Sequence, residues 1–114
     1  MEKEQSQISK DLGKKIQELQ LIEQNLQNVL IQKQSSQIEL TENSEALTEL
    51  NKARGDVYKV VGQIMIRSKI DELKKELKDK KEVAELRIKN LEKQESSLKD
   101  MLVKLREEVM GKLQ

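Results

Sequence analysis

The chain has 114 residues, room for one domain, and its 22 Lys+Arg nearly cancel 21 Asp+Glu to a formal charge of +1. Hydrophobic residues make up 35% and charged residues 38%, with one tyrosine and no Phe or Trp, so the side chains that fill a thick globular core are missing. Near-neutral charge gives no electrostatic reason to expect nucleic acid or an anionic membrane surface as partner, and the lack of Cys and His removes disulfides, thiolates and imidazoles.

The longest apolar runs are three residues, such as Val29-Leu-Ile31, far short of the roughly 20 that cross a bilayer. The N-terminus has no signal-peptide core, so a cytoplasmic location is expected. Regular apolar spacing and balanced charge together argue against a disordered chain.

The first stretch with helical periodicity covers residues 5–52, and no proline interrupts it. Leu12, Leu19, Leu26, Leu40 and Leu47 share a seven-residue register broken by Lys33, with Ile16, Ile22, Val29, Leu30 and Leu50 in neighbouring positions. Gly13 costs about 1 kcal/mol relative to Ala inside a helix, which suggests mobile first turns. Gly55 follows the stretch, where a left-handed residue is expected.

The segment 57–67, Val57-Tyr-Lys-Val-Val-Gly-Gln-Ile-Met-Ile-Arg67, is β-branched and predicts a hairpin. Gly62-Gln63 suits a type II′ turn, which places glycine first. That turn sets Val61 against Ile64, Val60 against Met65, Lys59 against Ile66 and Tyr58 against Arg67. One face then carries Val57, Val61, Ile64 and Ile66, and the other Tyr58, Val60 and Met65. A two-stranded hairpin is marginal in water even with one face covered, and its open edges are templates for pairing. Hairpins from several chains joining into a closed or stacked sheet would satisfy both faces, which makes these seven residues the expected oligomer interface.

The second helical stretch is expected over residues 69–112. Ile70, Leu77, Ala84, Leu91, Leu98 and Leu105 keep a strict heptad, with Ile88, Leu102 and Val109 at the other seam position. Lys33, Gln37, Lys81 and Glu95 intrude on the two seams. Ser68, three residues before Asp71, is a candidate N-cap. Asp71–Lys75, Glu76–Lys80, Glu85–Lys89, Glu95–Lys99 and Asp100–Lys104 all place the acid four residues before the base, the favourable order on a solvated helix surface. Two helices of nearly equal length joined by a reversal fold back on each other and bring both chain ends to one tip. The fold class is therefore mostly α: a long antiparallel two-helix coiled coil with one central β-hairpin, a single domain over residues 1–114.

The last fourteen residues hold seven apolar side chains, where a seam needs about two in seven. Leu102, Leu105 and Val109 can serve the seam, leaving Val103, Met110 and Leu113 over. With Ile8, Leu12 and Ile16 they would build an apolar patch at the tip, where flexible methionine suits varied partners. This whole set is the candidate substrate-binding tip.

The order of a Gln-rich first helix with Gln32-Lys33-Gln34, Ala46-Leu-Thr-Glu-Leu50, the Val57-Tyr58-Lys59…Gly62 hairpin and a helix with Lys93-Gln94-Glu95 resembles the β class of prefoldin subunits. The archaeal β subunits and eukaryotic subunit 6 share this pattern, and the resemblance spans nearly the whole chain. It departs from the pattern in lacking a Pro-containing N-terminal lead and in having Arg54-Gly55-Asp56 in place of a more acidic run. The resemblance implies a hetero-hexamer of two α-class and four β-class subunits whose hairpins form a β-barrel platform. It also implies coiled-coil tips that hold unfolded polypeptides and deliver them to a group II chaperonin. No Gly-x-x-x-x-Gly-Lys-Ser/Thr loop is present, so holding would be independent of ATP.

No cofactor, metal or enzymatic activity is expected, because the carboxylates lie on helix surfaces and do not converge on a cleft. The competing reading is a structural coiled-coil adaptor, which explains both helices but leaves the two-faced hairpin without a purpose.

Overall fold

The computed structural model describes residues 2–113, in the order α1 (Glu2–Lys52), β1 (Val57–Val61), β2 (Ile64–Ser68) and α2 (Ile70–Leu113). Acids in the first turn of each helix and a lysine in the last complement the helix dipoles. α1 runs unbroken through Gly13. Its last turn tightens with an i→i+3 bond, Ala53 N donating to Leu50 O at 3.2 Å, and the chain then turns at Gly55 with φ +109°.

The strands pair in the register read from the sequence, from Val61 opposite Ile64 to Tyr58 opposite Arg67, and extend one step further to Val57 opposite Ser68. Gly62 has φ +62° and none of the described non-glycine residues has positive φ, so Gln63 does not, which is the type II′ combination. The N-cap differs from expectation. Leu73 N donates to Lys69 O at 3.0 Å, so Lys69 provides the first helical acceptor of α2. Ser68 belongs to β2, because its pairing with Val57 holds it in the sheet.

The chain divides into two compact units, one of residues up to Gln32 with those from Leu91 onward, the other Lys33–Asn90. In the first, Ile22, Leu102 and Leu105 form a buried cluster with Leu19, Leu26 and Leu98 against it. Burial of one such side chain contributes about 1.5–3 kcal/mol. Lys15 to Glu108 and Glu23 to Arg106 pair α1 with α2 at 2.8 and 3.3 Å, which fixes their antiparallel register within this unit.

The second unit buries Val57, Ala84 and Ile88, and Ala84 is fully inaccessible. It also buries two polar residues, Ser36 and Asn43. These extend the heptad of Ile22 and Val29, so the second seam position of α1 runs through Ser36 and Asn43 toward half-buried Leu50. Ile16, Leu30 and Gln37, which the sequence placed beside or in the seam, are exposed. Ile22, Val29 and Leu50, which the sequence also placed beside the seam, hold the observed position, and at 36 and 43 that position is polar.

Candidate functional site

The hairpin is held by its base and open everywhere else. Val57 is buried, and on the same face Lys59 Nζ donates to Glu76 Oε1 of α2 at 2.6 Å. The bond from the ammonium draws the Glu76 carboxyl below its ordinary range, and Lys80 at 3.5 Å adds to the effect. Arg67 Nη2 pairs with Asp56 Oδ1 at 2.8 Å at the hairpin base. Beyond these anchors, Tyr58, Val60, Val61, Ile64, Met65 and Ile66 lie 49–68% exposed, on both faces of the sheet. All seven residues expected at an interface are in the hairpin, and Val57 alone is turned inward.

Beside β1 the same unit holds a groove of about 470 Å³ that sequence reasoning missed. Its apolar lining includes Leu50 and Ala53 at the α1 end, Leu73 and Leu77 of α2, and Val57. Exposed Glu49, Lys52, Asp56 and Tyr58 also line it. The residues are far apart in sequence, so no local pattern announces the groove.

The candidate tip residues all lie in the first unit. Ile8, Ile16, Val103, Met110 and Leu113 are exposed, four of them by more than half. Leu102 and Leu105 are buried against Ile22, and Leu12 and Val109 are half-buried along the same seams. The nine residues thus separate into five exposed side chains and four in the seam. Lys15 Nζ donates to Glu108 Oε2 in this region, a bond that raises the ammonium pKa and lowers that of the carboxyl. Leu21 and Ile31 on α1 are also exposed and add apolar area to this unit.

Among the described residues, no helix is long and apolar enough to cross a membrane, and no group of three or more acidic residues is placed to hold a metal ion.

The sequence model of the family described as prefoldin subunit matches residues 1–114. The chain is similar to the prefoldin subunit beta of Pyrobaculum islandicum, 39% identical over 110 residues that cover 95% of this chain and 88% of that one. Similarity to the prefoldin subunit beta of Archaeoglobus fulgidus is 35% over 100 residues, covering 86% of each. The crystal structure of the prefoldin beta subunit from Thermococcus strain KS-1 superposes with a TM-score of 0.79 at 35% identity, over 89% of this chain and 90% of that one. With the family model matched along its length and relatives above 30% identity along most of both chains, the chain belongs to the prefoldin subunit family.

Proposed function

We propose that this chain is a chaperone subunit that assembles through its hairpin and holds unfolded polypeptides on its terminal apolar surface. The observation that carries the reading is the hairpin itself, with six large apolar side chains exposed on a two-stranded sheet. Such a sheet has no way to cover both faces within its own unit, and its outer backbone groups invite further strands. Joining hairpins from other prefoldin subunits covers faces and edges together. The family resemblance supports two α-class and four β-class subunits as the complement, with the barrel platform as the joined form.

Once several copies share a platform, their terminal surfaces act on one client at once. Ile8, Ile16, Val103, Met110 and Leu113 offer shallow apolar contact without a shaped pocket, which is indifferent to client sequence. Each contact is weak, but linkage raises the effective concentration of the next, so avidity replaces single-site affinity. Held chains would pass to a group II chaperonin, and nothing in this holding step calls for a nucleotide.

Two variants test the two halves separately. Ile66→Asp places a charge on the joined sheet and should abolish assembly with an α-class prefoldin subunit. An unchanged oligomer in light scattering would remove the platform role. Replacing Val103, Met110 and Leu113 by Gln should leave assembly intact and weaken suppression of client aggregation. Undiminished suppression by that assembled complex would remove the terminal surface from the site.

A further inference from the structure

We propose that the amides of Asn25, Asn28, Gln32 and Gln94, with the hydroxyl of Ser97, bind the extended backbone of an unfolded client where it leaves the terminal apolar surface. The proposal rests on the client-holding reading above and adds to it a polar site for the peptide group itself.

The five residues line one groove of about 570 Å³ within the first unit, together with Val29, Leu98 and Lys93. Val29 is buried and Leu98 half-buried in the seam, whereas the five polar side chains are exposed. Positions beside a coiled-coil seam commonly carry ion pairs between the helices, as Glu23 and Arg106 do in this unit. Here the lining holds four amides and a hydroxyl instead. Among the described residues, none of these five side chains makes a hydrogen bond to another part of the protein. They add nothing directional to helix pairing, and their donors and acceptors are free for a ligand.

A side-chain amide offers two N–H donors and a carbonyl acceptor, the complement of the C=O and N–H of a peptide unit. Such contacts read no side chain, so they suit a client of any sequence. They also meet a need that apolar contact leaves open, because backbone polar groups that lose water on a greasy surface require partners. Lys93, the one charged residue of the lining, can donate to a further carbonyl.

The spacing fits an extended chain. Asn25, Asn28 and Gln32 follow one another on α1 by three and four residues, and Gln94 and Ser97 on α2 by three, so each set shares a helix face. From Asn25 to Gln32 the helix rises about 10 Å, the length of about three residues of β-strand. The same faces continue as Leu21, four residues before Asn25, and Met101, four residues after Ser97, both more than half exposed. Because the helices run antiparallel in this unit, Leu21 and Met101 lie at the same end of the amide set, the end toward Ile16, Val103 and Met110. A segment whose apolar side chain rests on Leu21 or Met101 thus runs its backbone onto the amides.

Two probes test this on the assembled complex by fluorescence anisotropy. One is a long blocked peptide of repeated Leu-Ser-Gly. The other is the same peptide N-methylated at each serine, which keeps every side chain and removes one backbone donor per repeat. The unsubstituted complex should bind the methylated peptide about tenfold more weakly. A complex with Asn25→Ala, Asn28→Ala, Gln32→Ala and Gln94→Ala, exposed changes that raise helix propensity, should bind both peptides alike and with that weaker affinity. Equal affinity for the two peptides in the unsubstituted complex overturns the proposal, as does a methylation penalty that persists in the variant. In a second arm, a photoreactive maleimide on Ser97→Cys should label the peptide, and the same group on exposed Lys89→Cys should not, in a chain with no cysteine of its own. Equal labelling from both positions, or labelling of a neighbouring subunit alone from Ser97→Cys, also overturns it. Peptide binding that ignores the amides yet falls when Val103, Met110 and Leu113 are replaced removes this site and leaves the terminal surface standing. An unsubstituted complex that binds neither peptide and holds no denatured client overturns both readings.

Discussion

Lys59 reaches from the centre of β1 to Glu76 on α2, Nζ to Oε1 at 2.6 Å, and so ties one face of the hairpin to the helix that follows it. A lysine in the middle of an otherwise apolar strand is explained by this bond. It satisfies the ammonium while Val60 and Val61 next to it stay exposed.

Acid should loosen this tie. The carboxyl of Glu76 sits below its ordinary pKa chiefly because Lys59 donates to it, so its contribution is present above the unfolded carboxylate pKa. That contribution is lost as pH falls through the depressed folded value. Glu76→Gln should flatten this part of the acid dependence, read as thermal melting between pH 6 and about 3. An acid profile identical to the unsubstituted chain would show that the tie carries no stability.

Gly62→Ala should destabilise the hairpin by roughly 1–2 kcal/mol, because φ +62° is costly for an L side chain even though no atom stands within 4 Å of the added Cβ. Amide exchange of Lys59 and Ile66, a hydrogen-bonded pair of the hairpin, relative to the helices measures it. Gly62→Asn, a residue that tolerates positive φ, should recover part of the loss.

Asn43 Nδ2 is buried with no hydrogen-bond partner, which costs about 1–3 kcal/mol. Asn43→Leu should therefore raise the unfolding midpoint. A polar seam residue also restricts helix register, so the same variant should tolerate misaligned helix pairing more readily. Chemical denaturation gives the first quantity, and disulfide trapping between shifted seam positions gives the second.

Leu105→Ala should cost about 2–5 kcal/mol, since Leu105 is 8% exposed and packs with Ile22 and Leu102. Val103→Ala, at 52% exposed, should change the midpoint little. Equal losses from both would mean that the terminal surface is not free of the core.

Periodicity made the helices legible, because apolar side chains recurring every seven residues are the direct cause of helix pairing. The same held for the hairpin: Gly62 admits positive φ at one position, and a two-residue turn leaves one register for Val57–Ser68. What the chain's order of residues could not disclose was which polar groups would be taken inside. Asn43 and Ser36 are buried by their place in the seam, against their own solvation preference, and only the packed helices decide that. The Lys59–Glu76 bond and the groove between Leu50, Leu73 and Val57 likewise depend on three elements meeting in space. Local patterning is written in neighbours three or four residues apart, whereas a cavity or an ion pair across 17 positions exists only after the backbone has turned back on itself.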